Sequence, residues 1–277
     1  MTQSLPHPQS VALPQPKSIG FMQPLAWLAL GWRDICRAPA LSLAHGFFLM
    51  LFGAAVLWLG HNRFWLMAGV LSGFLVVGPV VATSLYAISR ALERGEKVDA
   101  SLVRRTWAHW QLGHTQRGSD YWCLVQFGLL LALAAAGWMA VSASLITLMS
   151  PVRIGTPVEF LQHVVLHPDG TLFHLWLALG CFLAAPIFAS SVVSMPLLLD
   201  RKVTLPQAVL TSWLVILQNP IAMAMWAALI VMFTLLGLAS LLLGLVFVMP
   251  MLGHASWHAY RDLVDASDFA LRERAVQ

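Results

Sequence analysis

Histidine is the residue type best placed in this chain to bring chemistry into an otherwise apolar setting. His254 and His258 are four residues apart, hence on one helix face, within Gly253-His254-Ala255-Ser256-Trp257-His258. His45 begins another apolar run and is expected at a similar depth. Imidazoles on facing helices commonly hold haem or a metal in a bundle, so His45, His254 and His258 are the candidate cofactor ligands. The simpler reading is that histidine near a helix C-terminus bonds the last carbonyls and meets the favourable dipole end; no cofactor is expected. A second set, Glu159, His163 and His167, is also spaced by four and offers donors for zinc or copper. Yet Thr156-Pro157-Val158-Glu159 reads as a capping box, which already employs Glu159. The sequence has no nucleophile elbow, P-loop, dinucleotide fingerprint or HExxH motif, so an enzymatic role is not expected.

The elements that would position these residues are membrane helices. Residues 41–60, 64–89, 121–152, 170–199 and 203–260 contain no Asp, Glu, Lys or Arg, and about 20 apolar residues span a bilayer core. Across the 277 residues, 59% are hydrophobic and 10% charged, too few charges to cover a water-facing surface of that size. The last run has 58 residues and as one helix would reach about 87 Å, so it must fold back. Asn219-Pro220 marks an entry and Gly237 the expected reversal. Six spans result, at about 41–60, 64–88, 121–149, 172–199, 220–236 and 238–260. Residues 1–20 are expected to be a disordered cytoplasmic tail without a cleaved signal peptide, 21–265 one membrane domain, and 266–277 a C-terminal cytoplasmic tail.

Basic residues orient the chain, because Lys and Arg are retained on the cytoplasmic side. With six spans and the N-terminus inside, 14 of the 16 are cytoplasmic and only Arg63 and Arg153 fall outside. A five-span arrangement would move Arg261, Arg272 and Arg274 outside as well. The basic residues lie in short loops beside Glu93, Glu96 and Asp99, with no recognition motif, so nucleic acid is not an expected partner. The lipid bilayer is, with other membrane proteins as further candidates. Cys36, Cys123 and Cys181 form no CxxC pair and read as small apolar packers.

The chain also carries an internal repeat. Segments 24–37, 99–110 and 206–218 each read as an amphipathic helix lying in the headgroup plane, marked by Trp32, Trp107 and Trp213. In the first, Leu25, Leu28, Ala29, Trp32, Ile35 and Cys36 form the apolar face, opposite Arg33, Asp34 and Arg37. Each precedes a pair of spans, and the second span of each pair carries a proline followed by small residues: Pro79, Pro186 and Pro250. Proline frees one helix carbonyl, here those of Leu75, Phe182 and Val246, and the small residues permit close helix approach. The kinks serve packing, or they line a cavity as in repeat-built transporters. The fold class is therefore all-α: a polytopic helical bundle of six transmembrane helices in three hairpins, each preceded by an interfacial amphipathic helix.

Leu25-Ala26-Trp27-Leu28-Ala29-Leu30-Gly31-Trp32-Arg33-Asp34, the run from Val77-Gly78-Pro79 to Glu93-Arg94-Gly95, and Gly253-His254 through Asp262-Leu263 resemble a bacterial family of predicted integral membrane proteins, domain of unknown function 2189. The resemblance extends over roughly residues 20–265 and implies a multi-pass protein of the bacterial cytoplasmic (inner) membrane without a known activity. Some members carry a label as cytochrome c oxidase subunits, but such a subunit I requires more spans and more intramembrane histidines. No acid, Lys or Arg lies in a predicted span, which disfavours an ion-driven carrier. Three roles are left: a non-enzymatic accessory or scaffold protein, a permease or lipid-handling protein for an uncharged or amphiphilic substrate, and a haem- or metal-binding respiratory component.

Overall fold

The computed structural model describes residues 12–60, 78–112 and 122–272. Its helices are α1 (Gln23–Arg37), α2 (Pro39–Gly60), α3 (Thr83–Glu93), α4 (Ala100–Leu112), α5 (Trp122–Met149), the single turn α6 (Pro157–Phe160), α7 (Thr171–Ser191), α8 (Ser194–Asp200), α9 (Leu205–Gln218), α10 (Pro220–Ala239) and α11 (Leu245–Leu263). Four helical stretches are long and apolar enough to cross a membrane: Pro39–Trp58, Trp122–Met149, Thr171–Asp200 and Pro220–Ala239. They coincide with the first, third, fourth and fifth expected spans. Of the second, 64–77 lies outside the described residues, while 78–81 and α3 are helical.

The last reversal is displaced from its expected position. The chain turns at residues 240–244, with Leu241 and Leu242 in the left-handed region at φ 56° and 70°. Ser240 holds the turn, its hydroxyl donating to the Gly237 carbonyl (2.8 Å) and accepting from the Gly244 N–H (2.7 Å). Gly237 instead permits close packing, since a Cβ there would stand 2.7 Å from the Leu245 side chain.

All three amphipathic segments are helices, α1, α4 and α9. Asp99 caps α4 by accepting from the Ser101 and Leu102 N–H groups, and Thr204 with Gln207 forms a capping box on α9. Their orientation differs from the expectation. Trp32, Trp107 and Trp213 are exposed, whereas Gly31 and Asp34 of α1, and Ala208, Thr211 and Ser212 of α9, face the bundle. In lipid a large apolar side chain loses nothing by facing outward, and small residues let backbones approach, so α9 turns its small face inward, while α1 buries Trp27, Leu28 and Ile35 beside Gly31 and Asp34. Cys36 and Cys181 likewise face outward.

The core is built around α11, which packs on α1, α2, α3 and α10. Glycines make three of these crossings close: a Cβ on Gly31 would stand 2.6 Å from the Met251 carbonyl, one on Gly253 2.5 Å from the Leu85 side chain, and one on Gly46 would overlap the Val246 carbonyl. Val246 is the residue whose carbonyl Pro250 frees, so the α2 backbone covers it. Beside this seam Trp27 meets Trp226 edge to face at 5.5 Å. The far end is closed by Trp176, which packs on Trp138 and Phe160 and donates to Ser142 (2.6 Å).

Residues 12–20, expected within a disordered tail, instead run as a strap. Strand β1 (Gln15–Pro16) pairs antiparallel with β2 (Val264–Asp265), and Asn219 binds the Ile19 N–H and the Lys17 carbonyl, each at 2.9 Å. Backbone pairing and one buried amide supply what apolar content does not. Arg272 beyond β2 is also tied down, donating to the Leu198 carbonyl at 2.6 Å.

Substitution tests the seam. Gly46→Leu is expected to cost at least about 1–3 kcal/mol through forced separation of α2 from α11, while Gly137→Ala, with nothing near its Cβ, leaves the melting temperature of the detergent-solubilised protein within error.

Candidate functional site

α1, α2, α3 and α11 together hold one buried polar chain. Asp34, 1% exposed, accepts at one carboxylate oxygen from the Ser89 hydroxyl (2.8 Å) and from His258 Nε2 (2.8 Å). Ser89 also touches His254 Nδ1 (2.7 Å), and Ser42 touches His254 Nε2 (2.9 Å). A hydroxyl has one proton; since Asp34 receives that of Ser89, His254 donates from Nδ1 and its Nε2 accepts from Ser42. His45 follows the same pattern, donating from Nδ1 to the Leu41 carbonyl (2.7 Å) and accepting at Nε2 from Ser84 (2.7 Å). Burial opposes ionisation of Asp34, but the bonds from His258 and Ser89 and the nearby imidazoles outweigh it and hold the carboxyl below its usual range.

The three candidate haem ligands are thus close in the fold but do not share a centre. The lone pairs of His45 and His254 are engaged by Ser84 and Ser42, and His258 is turned to Asp34. Ligation of iron would require both serines to turn away. Among the described residues no group of three His, Cys, Asp or Glu side chains is arranged to hold a metal. Glu159 caps its helix as expected, accepting from the Gly155 (2.7 Å) and Thr156 (3.1 Å) N–H groups, which lower its pKa. His163 lies half-buried in the π-type turn Leu161–Val165, and His167 accepts from the Asp169 N–H (3.3 Å). The structure therefore does not join Glu159, His163 and His167 into one ligand set. Pro186 and Pro250 lie inside α7 and α11, and Pro79 precedes α3 by one turn.

Three further acids stand at the helix ends nearest this chain, and their roles were missed in the sequence. Asp200, ending α8, accepts from the Tyr260 hydroxyl (2.9 Å), Arg94 (2.9 Å) and Arg201 (3.0 Å). Glu93, ending α3, accepts from Trp257 Nε1 (2.9 Å) and Arg261 (2.9 Å). Asp262 accepts from Trp27 Nε1 (2.8 Å) and Gln23 (2.7 Å). Every bond but that from neighbouring Arg201 comes from another helix or loop. The signal available was an acid ending the second helix of each repeat.

Residues 66–200 match the family model described as predicted integral membrane protein (DUF2189). Over that segment, just under half of the chain, the protein is similar to this family. The match is narrower than the resemblance, taking in Pro79, Ser84, Ser89, Glu93 and Asp200 but not Asp34, His45, His254 or His258. No curated protein and no solved structure matches the chain. The family description and the four long apolar helices agree on an all-α integral membrane protein embedded in the bilayer.

Asp34→Asn removes the charge that two donors face and is expected to cost about 3 kcal/mol, by analogy with other broken buried pairs. Because its folded pKa is depressed, the stability contributed by Asp34 is fully present above its ordinary value of 3.8 and is lost as the pH falls through the folded value. Melting temperatures measured from pH 6 downward are expected to drop less steeply below about pH 4 in the Asn variant than in the unaltered protein.

Proposed function

We propose that the protein is a non-enzymatic accessory or scaffold component of the bacterial cytoplasmic membrane, crossing it six times as three hairpins with both termini in the cytoplasm. In this reading 64–88 and 238–260 supply the second and sixth crossings, and α1, α4 and α9 lie along the cytoplasmic face. The distribution of basic residues supports it. So does the meeting of Glu93, Asp200 and Arg261 with one another's helices, since the even-numbered spans of an inside-to-inside chain all run the same way.

The single observation that carries the scaffold role is the use of the polar side chains. Asp34, Glu93, Asp200, Asp262, His254 and His258 bind one another's helices, and their known bonds do not aim a reactive group into a cleft. A catalytic or carrier site presents convergent polar groups to an accessible cavity, whereas these side chains clamp the bundle shut. Many large apolar side chains of α7 and α10, among them Leu175, Phe182, Ile221 and Leu235, face outward, available to lipid and to neighbouring helices.

Native electrophoresis of gently solubilised membranes tests the role. The chain is expected to migrate in an assembly heavier than itself, containing other membrane proteins, and the purified protein is expected to be colourless and metal-free. Migration alone, a Soret band, or stoichiometric metal would contradict it. Single cysteines placed at positions 97, 153, 202 and 240 of a cysteine-free variant are expected to react with an impermeant maleimide from the cytoplasmic, outer, cytoplasmic and outer sides respectively.

A further inference from the structure

α2, α3 and α4 leave a cleft between them with a volume of about 430 Å³, within the range of small-molecule sites. Phe48, Val81 and Met249 contribute to its apolar wall, and the His45–Ser84 pair lies in its lining. Arg104 and Trp107, one turn apart on the amphipathic helix α4, complete it. Arg104 is exposed and, among the described residues, is the only Lys or Arg in the lining. Among the described residues no acid pairs with it, whereas Arg94 and Arg261 both have carboxylate partners.

We infer that this cleft binds one anionic phospholipid of the surrounding bilayer, its phosphate on Arg104 and one acyl chain against the apolar wall. A guanidinium binds phosphate oxygens through two parallel N–H bonds, and among the described residues no carboxylate competes for this one. The interior offers apolar surface on which an acyl chain packs by van der Waals contact much as it does on other lipid tails, so the selectivity comes from the headgroup. Trp107 beside Arg104 is the residue type that settles at headgroup level, so cleft and headgroup lie at matching depth. A zwitterionic lipid brings its own cation to the arginine and loses that advantage. This site is independent of the scaffold role, because it uses none of the clamping residues.

The test is native mass spectrometry of the full chain released from nanodiscs holding equal phosphatidylglycerol and phosphatidylcholine of matched chains. One phosphatidylglycerol is expected to be retained, with about five- to tenfold preference, the scale of one basic residue at an anionic surface. Arg104→Gln is expected to remove that preference. Arg105→Gln is the control: Arg105 is exposed and bonded to Ser101 but does not line the cleft, so the preference persists. Both side chains are exposed, so each variant is expected to melt with the unaltered protein. Equal retention of the two lipids, an equal loss from both variants, or a second copy of the chain in place of lipid would overturn the proposal.

Discussion

A polar group taken into an apolar bundle must find its partner inside the protein, and the positions of the helices follow from that requirement. Asp34, Asp200 and Asp262 each receive two or more donors, and Glu93 receives an indole and a guanidinium. Most of those donors come from α11 or are aimed at it. Removing α11 would leave Asp34 without His258, Asp200 without Tyr260, and Glu93 without Trp257 and Arg261. For Asp34 and Asp200, which are almost fully buried, such losses cost far more than the net gain of an ordinary hydrogen bond, while the partly exposed Glu93–Arg261 pair loses less. α11 is therefore the keystone of the bundle.

The same helix is held by its backbone. Between lipid-solvated helices there is no hydrophobic drive, so close contact and hydrogen bonds supply the association energy. Gly31, Gly46 and Gly253 bring α1, α2 and α3 to the α11 seam. Pro250 fits this arrangement because the carbonyl it frees is the one under Gly46. At this position the kink serves packing. Pro186 precedes a break at residues 192–193, after which α8 is buried throughout. The three prolines occupy equivalent places in the repeat and end in three different local shapes.

Much of the architecture was legible in the residues. Long uncharged runs marked four apolar helices, and Asn219-Pro220 marked the joint α9–α10. The capping box at Thr156–Glu159 formed as its spacing required. What was not legible was orientation: hydrophobic periodicity names a face without saying whether lipid or protein meets it. Asp34 was accordingly placed on a solvated face, although it is the most embedded acid of the site. The strap at residues 12–20 was also hidden, since its order comes from pairing with β2 and from Asn219, about 200 residues distant. The histidines were noticed, but their serine and aspartate partners arise only when four helices meet.

The central claim is that buried polar contacts between helices of different repeats hold this bundle together. A double-mutant cycle on Asp200 and Tyr260, both almost fully buried, measures one such contact directly. Asp200→Asn, Tyr260→Phe and the double variant would be compared for unfolding free energy in detergent micelles. The account predicts a coupling of about 1–2 kcal/mol, the upper part of the range found for hydrogen bonds between membrane helices. Strictly additive losses would contradict it, and α11 would then be held by packing alone.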